Sequence, residues 1–253
     1  FMNTARNQLA GAGTQTAALG FGGGSPTVTA LTESYNGTNW TEVNDLNTAR
    51  KSSGGAGTQT AALAYGGVAP PGNFTITELW NGSSWTEVAD LNTSTRSMGS
   101  GGTSTSAISA GGGPVATVDT ETWNGTSWTE VGDLNTARDS MTGVAADNTV
   151  ALAFGGHLPP GTLANTESWN GSIWTDVADL NTARRQLAGA GIATAALAFG
   201  GETPTAAQVA NTELWNGSIW TETSDLNIAR RSLAGAGTQT SALAFGGDIA
   251  GFT

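Results

Sequence analysis

A short phrase, Leu-Asn-Thr-Ala-Arg, recurs along the 253 residues at a nearly constant spacing. Intact or slightly varied copies start at residues 2, 46, 91, 134, 180 and 226, so successive starts are 44, 45, 43, 46 and 46 residues apart. A fixed period in the mid-forties is typical of a repeat architecture rather than of several unrelated domains. We therefore expect one domain, residues 1–253, built from repeats 2–45, 46–90, 91–133, 134–179, 180–225 and a partial repeat 226–253.

Each complete repeat has the pattern of four short β-strands. No segment shows helical periodicity, whereas β-branched and aromatic residues alternate with polar ones and Gly is abundant. In the second repeat the predicted strands a, b, c and d cover residues 50–57, 59–65, 76–80 and 85–88. The pair Asn81-Gly82 between c and d predicts a tight hairpin turn, because both residues tolerate positive φ.

Four-stranded units of this length, repeated about six times, favour an all-β fold in which each repeat is one blade of a β-propeller. The repeat also resembles the kelch family, with Arg50 early in strand a, Gly66-Gly67 after strand b, and Trp80 and Trp85 in c and d. This resemblance covers the whole chain. It implies a six-bladed kelch-type propeller whose last blade is incomplete, with strands a and b only.

The distribution of residue sizes agrees with this arrangement. Strand a is rich in Gly, Ala and Ser, which suits strands that converge on a crowded axis, and the large aromatic residues fall in c and d, where blades diverge. We predict that the tryptophans are buried between blades and form a ring-shaped core. The residues with this structural role are Trp40, Trp80, Trp85, Trp123, Trp128, Trp169, Trp174, Trp215 and Trp220.

Each repeat also carries one Arg at the head of strand a and one Glu in strand c, which predicts an ion pair within or between blades. The arginines given a structural role are Arg6, Arg50, Arg138, Arg184 and Arg230. The glutamates are Glu33, Glu78, Glu121, Glu167 and Glu213. In the third repeat the phrase is one residue longer and ends at Arg96.

The last repeat has a Gly-Gly pair but no Trp-Asn-Gly hairpin, so it stops after strand b. Three explanations stay open at this point. The polypeptide continues past Thr253, a neighbouring chain donates strands c and d, or the ring closes with a two-stranded blade.

Charge and composition exclude several classes of partner. Nine basic against twenty acidic residues give a formal charge of -11 and a pI near 4.3, which argues against nucleic acid and against an anionic membrane surface. The longest apolar runs are far too short to span a bilayer, so we expect no membrane insertion. The chain starts at Phe1 without a signal-peptide pattern, so we expect a processed product or a fragment.

Catalytic and metal chemistry has little support. His157 is the only histidine and there is no cysteine, so a nucleophile–histidine unit could be built only around a residue in a variable loop. Kelch-like sugar oxidases need a set of His, Tyr and Cys copper ligands, and this chain lacks that set because it has one His and no Cys. No Asp-x-Asp-x-Asp-Gly calcium loop occurs either. We expect a protein that is not an enzyme, with no catalytic residue, cofactor or metal.

The repeats differ most between Gly-Gly and the next Thr-Glu, which is the b–c loop of each blade. In an up-and-down blade the b–c and d–a connections emerge on one face, and loops on a rigid scaffold are where binding usually resides. The predicted binding residues of the b–c loops are Ser25, Pro26, Pro70, Pro71, Asn73, Phe74, Pro114, Val115, His157, Leu158, Pro159, Glu202 and Pro204. The acidic residues predicted on the same face are Asp45, Asp90, Asp133, Asp179 and Asp225. The alternative is that these loops vary because nothing constrains them.

Near-identical repeats suit an adhesive or structural module better than an enzyme. The repeats also resemble kelch-like proteins of environmental, especially marine, phages, which implies a virion surface, fibre or receptor-binding component with a protein or glycan ligand, or with other chains of the same assembly as partners. Its expected location is extracellular or on the virion surface. The alternatives are a secreted or cell-surface bacterial kelch-like binding protein and, third, an enzyme with its site in the central pore.

Overall fold

The computed structural model describes residues 1–24 and 26–250. These residues form short β-strands and no helix, and the strands assemble into five four-stranded antiparallel sheets. The first strands of successive sheets contact one another in sequence, so the sheets stand around a common axis. The chain is therefore an all-β protein with a β-propeller fold, and each sheet is one blade.

Within every blade the strands follow chain order a, b, c, d from the axis outward. Blade 1 contains β1 (Ala10–Gly13), β2 (Ala18–Phe21), β3 (Thr32–Tyr35) and β4 (Trp40–Val43). Blade 2 contains β5 (Gly54–Thr58), β6 (Ala61–Tyr65), β9 (Thr77–Trp80) and β10 (Trp85–Glu87). Blade 3 contains β11 (Gly99–Thr103), β12 (Ser106–Ala110), β13 (Thr120–Trp123) and β14 (Trp128–Glu130).

Blade 4 contains β15 (Thr142–Asp147), β16 (Val150–Phe154), β19 (Thr166–Trp169) and β20 (Trp174–Asp176). Blade 5 contains β21 (Ala188–Ile192), β22 (Ala195–Phe199), β23 (Thr212–Trp215) and β24 (Trp220–Thr223). Two b–c loops carry small hairpins of their own, β7 (Val68–Ala69) with β8 (Gly72–Asn73) and β17 (His157–Leu158) with β18 (Gly161–Thr162).

The prediction of six blades is wrong, because the propeller has five. The last repeat forms only a two-stranded hairpin, β25 (Arg231–Thr238) paired with β26 (Ser241–Asp248). We call it the terminal hairpin. It lies between blade 5 and blade 1, since β25 contacts both β21 and β1. No strands equivalent to c and d accompany it among the described residues, so it is not a four-stranded blade.

The c–d connection differs from the predicted two-residue turn. Trp80 pairs with Trp85, so the connection has four residues, and of the Asn-Gly pair only Gly82 has positive φ, at 94°. The Asn81 side chain stabilises the loop instead, because its Oδ1 accepts hydrogen bonds from the backbone N–H groups of Ser83 and Ser84, each at 2.9 Å. The sequence signal for a hairpin was correct, but an Asn side chain rather than a second positive φ forms the turn.

The inner strands approach so closely that side chains are excluded from parts of them. A Cβ built on Gly235 of the terminal hairpin would lie 2.3 Å from the carbonyl oxygen of Gly189 in blade 5. One built on Gly55 in blade 2 would lie 2.8 Å from the carbonyl oxygen of Gly11 in blade 1. These contacts explain why strand a is composed of such small residues.

The tryptophans are buried in the seams between blades, as the size distribution predicts. The indole of Trp128 in blade 3 packs against Tyr65 of blade 2, with ring centroids 4.7 Å apart, and its Nε1 donates to Thr77 Oγ1 at 3.0 Å. The same strand-d indole-to-threonine bond joins Trp85 to Thr32 at 3.1 Å. It also joins blade 4 to blade 3 and blade 5 to blade 4. In blades 2 to 5 the strand-d Trp thus anchors its blade to the preceding one.

Candidate functional site

The recurring Arg and Glu form a buried ion pair inside four blades. Arg184 Nη2 lies 2.8 Å from Glu213 Oε1, and both side chains are inaccessible to solvent. Burial lowers the pKa of the Arg184 guanidinium from its ordinary value, while Glu213 opposes the shift. The other pairs are Arg6–Glu33, Arg50–Glu78 and Arg138–Glu167. These arginines serve the fold, because their charges are neutralised where no ligand can reach them.

The third blade departs from this pattern. Thr95, not Arg96, occupies the buried position of the repeat arginine, and its Oγ1 donates to the carbonyl oxygen of Gly111 at 3.2 Å. Glu121 therefore has no ion-pair partner among the described residues. Its carboxylate accepts hydrogen bonds from the backbone of Asn92 and Thr93 and from the Asn92 side chain. Arg96 is the next residue and occupies the position that Lys51 has in blade 2, opposite the first residue after the Gly-Gly pair.

A closed ring of backbone hydrogen bonds encircles the axis, and no residue pattern in the sequence predicts it. In each repeat the second residue after the repeat Arg, or after Thr95 in the third repeat, donates its N–H to the carbonyl oxygen of the equivalent residue in the preceding repeat, at 2.7 to 2.9 Å. The last link runs from Gln8 back to Ser232, so the terminal hairpin completes the ring. The ring residues are Gln8, Ser52, Ser97, Ser140, Gln186 and Ser232. This ring delays the start of strand a, which begins at Gly54 rather than near Arg50 in blade 2.

All six ring residues have left-handed backbone conformations, with φ between 52° and 56°. An L-residue other than glycine pays a steric penalty there. We expect Ser52→Gly to raise the free energy of unfolding by about 1 kcal/mol, because glycine adopts this conformation without the penalty. Ser52→Val should lower it, since a branched Cβ tolerates positive φ poorly. Urea denaturation measures both changes. A glycine variant less stable than the valine variant would contradict the claim that the positive φ of residue 52 is sterically strained.

The residues immediately before the ring residues form the candidate site, which we call the axial mouth. Each of them lies opposite the first residue after a Gly-Gly pair, through backbone hydrogen bonds or strand pairing. The six opposed pairs are Asn7–Gly24, Lys51–Val68, Arg96–Gly113, Asp139–His157, Arg185–Glu202 and Arg231–Asp248. Four of the nine basic residues of the chain lie in these pairs, and the other five are the arginines at the head of strand a.

One side of the axial mouth is neutralised internally. Glu202 is 1% exposed and accepts hydrogen bonds from Arg185 Nε and Nη2, at 3.1 and 2.6 Å, and from Arg231 Nη1. Arg231 also lies 3.7 Å from Asp248, and Asn7 donates to Asp248 at 2.5 Å. Glu202, a predicted binding residue, therefore forms ion pairs with Arg185 and Arg231 that join blade 5 to the terminal hairpin.

The opposite side carries positive charge without such partners. Lys51 and Arg96 belong to adjacent blades, and the residues opposed to them are the uncharged Val68 and Gly113. Neither cation forms an ion pair within the described residues. Both line a polar cavity of about 210 Å³, together with Asp139 and five of the ring residues. This half of the axial mouth can accept an anionic group.

Below the ring lies a second, central cavity of about 310 Å³. The inner strands line it with Gly, Ala, Ser and a few larger uncharged side chains, and none of the described lining residues is titratable. The pore therefore offers shape and backbone polarity but no charged group for acid–base chemistry.

The predicted binding residues of the b–c loops differ in their solvent exposure. Ser25 lies outside the described residues. The prolines and Val115 are exposed, with Val115 at 73%, whereas Asn73 and Phe74 are half-buried. The exposed prolines and the exposed Leu158 of the predicted set are Pro26, Pro70, Pro71, Pro114, Leu158, Pro159 and Pro204.

The predicted acidic residues of the d–a connections each have a structural contact. Asp90 Oδ1 accepts the backbone N–H of Thr77, the first residue of strand c, at 3.1 Å, and its Oδ2 accepts from Thr75 Oγ1 at 3.2 Å. The same carboxylate-to-backbone bond recurs in the other blades with Asp45, Asp133, Asp179 and Asp225. All five side chains are nevertheless solvent-exposed, so their role in binding stays a prediction.

His157 lies at the axial mouth, where its Nδ1 is 3.9 Å from Asp139 Oδ1 and both side chains are 20% exposed. Within residues 1–24 and 26–250, no three His, Cys, Asp or Glu side chains converge as a metal site would require. Lys51 and Arg96 are not among the predicted binding residues. The third phrase is one residue longer than the others, so matching its terminal Arg96 to Arg50 hides the equivalence of Arg96 and Lys51. Aligning it on Thr95 instead places Lys51, Arg96, Arg185 and Arg231 at one repeat position, a signal present in the sequence.

No protein-family model matches the chain, and no curated protein matches its sequence. In the part that the structure describes, no helix has the length and apolarity needed to cross a membrane. Residue geometry therefore carries the functional argument for this β-propeller.

Proposed function

We propose that this chain is a non-enzymatic binding module, and that it recognises an anionic group of a protein or glycan at the axial mouth. The observation that carries the proposal is the unopposed positive charge of Lys51 and Arg96 beside a polar cavity. The rest of the molecule is acidic, so this is a local reversal of the net charge of -11. A bound carboxylate or sulfate group would gain charge-assisted hydrogen bonds from both cations.

Variation among the repeats supports the same surface. The b–c loops and the residues before the ring differ from blade to blade, whereas the buried pairs and seams repeat. Variable residues that converge on one rigid opening are typical of a recognition surface. The exposed loop residues around the opening, including Pro70, Pro114 and Val115, would then contact the parts of the ligand beyond its charged group.

The test uses a substitution that blade 5 itself suggests. Val68→Glu places a carboxylate opposite Lys51, as Glu202 stands opposite Arg185, and should neutralise Lys51 without removing it. On an array of sulfated, carboxylated and neutral glycans and acidic peptides, we expect the wild-type chain to bind charged members selectively. We expect Val68→Glu, and Lys51→Ala with Arg96→Ala, to weaken binding by about tenfold or more.

Asp139→Asn is the control in the opposite direction. Asp139 is the one acidic residue among the described residues that line this cavity, so its removal should tighten binding. Circular dichroism and thermal unfolding check that the fold is retained. Binding that is unchanged in both weakening variants, or selective for neutral glycans, would refute the axial mouth as the site.

We further propose that the chain is a kelch-type propeller from a virion surface, fibre or receptor-binding component. Support comes from the resemblance of its repeats and from the recurring Arg, Gly-Gly and Trp positions, which have consistent structural roles here. Immunogold labelling of particles from the source sample tests this assignment. Labelled bacterial surfaces with unlabelled particles would favour a cell-surface binding protein instead.

A further inference from the structure

In every blade, strand b pairs with strand a on one side and with strand c on the other. In the terminal hairpin, the outer edge of β26 has no such partner within the described residues. In blade 5, β22 pairs with β21 on one side and with β23 on the other. Among the described residues, β26 pairs only with β25. Ala242, Leu243 and Ala244 of β26 are half-exposed, whereas the equivalent residues 62–64 of blade 2 have no exposed surface. Apolar side chains and backbone hydrogen-bonding groups are thus presented together along one edge.

Arg230 lies beside this edge without the carboxylate that its counterparts have. It is the repeat arginine of the last copy, but it is half-exposed and donates only to the carbonyl oxygen of Gly246, at 3.0 Å, within the described residues. In blade 5 the equivalent Arg184 donates to Gly200, to Asn211 and to Glu213 of strand c. Within residues 1–24 and 26–250, no carboxylate at the terminal hairpin occupies the position that Glu213 has in blade 5.

Blades 1 and 5, which flank the terminal hairpin, each contain one member of an indole-to-threonine pair whose other member is absent from the described residues. Trp40 of blade 1 packs against Phe245, with centroids 5.0 Å apart, yet its Nε1 has no acceptor among the described residues. In the other seams that acceptor is the first Thr of strand c in the preceding repeat. Conversely, no indole N–H of the described part of the chain reaches Thr212 of blade 5, although Thr32, its equivalent in blade 1, receives one from Trp85.

We infer that the β26 edge is a docking site for a β-hairpin with the pattern Thr-Glu-x-Trp-Asn-Gly-x-x-Trp. The first strand of this hairpin pairs with β26 in the register that β23 adopts on β22, in which Phe199 faces Thr212 and Ala198 faces Glu213. Phe245 and Ala244 are the corresponding residues of β26. The β26 edge, Arg230, Trp40 and Thr212 would then each have the kind of partner that the equivalent groups have in the complete blades.

Four complementary contacts define the ligand. The Thr hydroxyl accepts the Trp40 Nε1–H, and the Glu carboxylate pairs with Arg230. The first Trp covers Ala242, as Trp215 covers Ala196 in blade 5, and the second Trp donates to Thr212 Oγ1. Main-chain pairing supplies affinity, whereas the Glu and the two indoles select this hairpin over an arbitrary strand.

The direct test adds a synthetic peptide to the full chain. The peptide has the sequence of residues 211–224, Asn-Thr-Glu-Leu-Trp-Asn-Gly-Ser-Ile-Trp-Thr-Glu-Thr-Ser. We expect saturable one-to-one binding, slowed hydrogen exchange of the outward-facing amides of β26, and a shift of the Trp40 indole N–H resonance, assigned with Trp40→Phe. Exchange in blades 2 to 4 should stay unchanged.

Variants on each side of the interface make the test specific. A peptide with Gln at the position of Glu213 should bind about tenfold more weakly, as should wild-type peptide to the Arg230→Met chain, because each loses the charged pair. Thr212→Val should also weaken binding, through the lost indole bond. The peptide variant leaves the chain untouched, so its result is independent of any effect on folding. Absence of β26 protection at saturating peptide, or equal binding of the Glu and Gln peptides, would overturn the proposal.

Discussion

Replacing Glu78 by Gln is expected to lower the free energy of unfolding by about 3–5 kcal/mol, because the change leaves a buried guanidinium without its counter-charge. Arg50 and Glu78 have no solvent-exposed side-chain surface, and Nη2 lies 3.1 Å from Oε1. Burial already lowers the pKa of Arg50, and Glu78 is the largest influence opposing that shift. Urea denaturation followed by tryptophan fluorescence at neutral pH gives the change directly.

Blade 3 supplies the matched control. Glu121 occupies the same position as Glu78 and accepts equivalent hydrogen bonds, from Asn92 and Thr93, but Thr95 stands in place of the arginine. Glu121→Gln removes a hydrogen bond without isolating a cation, so its cost should be about 1–3 kcal/mol. Equal losses for the two variants would show that the ion pair contributes nothing beyond its hydrogen bonds.

Trp128→Ala is expected to cost about 3–5 kcal/mol, the range typical of deleting a large buried aromatic side chain. The indole is 5% exposed and lies in the seam between blades 2 and 3, in contact with Tyr65 and Trp123 and bonded to Thr77. Its removal leaves a cavity and an unsatisfied hydroxyl in a seam that holds two blades together. The same denaturation experiment measures the loss.

Trp40 separates the packing contribution from that of the hydrogen bond. It occupies the equivalent position in blade 1 and packs against Phe245, but its Nε1 finds no acceptor among the described residues. We expect Trp128→Phe to cost about 1 kcal/mol more than Trp40→Phe, the usual value of one buried hydrogen bond. If the two Phe variants lose the same stability, the indole-to-threonine bond does not stabilise the seam.

Much of the fold could be predicted because each repeat encodes it locally. The period, the Gly-Gly pairs with positive φ, the Asn-Gly loops and the two Trp positions all concern contacts within one repeat or between neighbouring repeats. The predicted strand b of blade 2, residues 59–65, contains β6 (Ala61–Tyr65), and the predicted strand c contains β9. Strand a was placed too early, because the ring residue Ser52 turns the chain before pairing begins at Gly54.

The candidate site was less accessible from the sequence. Loop variability led to a predicted binding face, which stays a prediction. The electrostatic role of each charged residue on that face became visible only from the residue opposite it in the structure. Glu202, a predicted binding residue, neutralises Arg185 and Arg231 in the structure. Lys51, which was not predicted, stays unopposed because Val68 faces it.

The sequence by itself determined the repeating unit, its strand order and the burial of its aromatic side chains, because these depend on residues close together in the chain. Only the tertiary structure decided the number of blades, the closed ring through Gln8 and Ser232, and the separation of the axial mouth into a paired and an unpaired side. These features arise when equivalent positions from distant repeats converge on one axis. Their energetics depend on which side chains then face one another, and no single repeat contains that information.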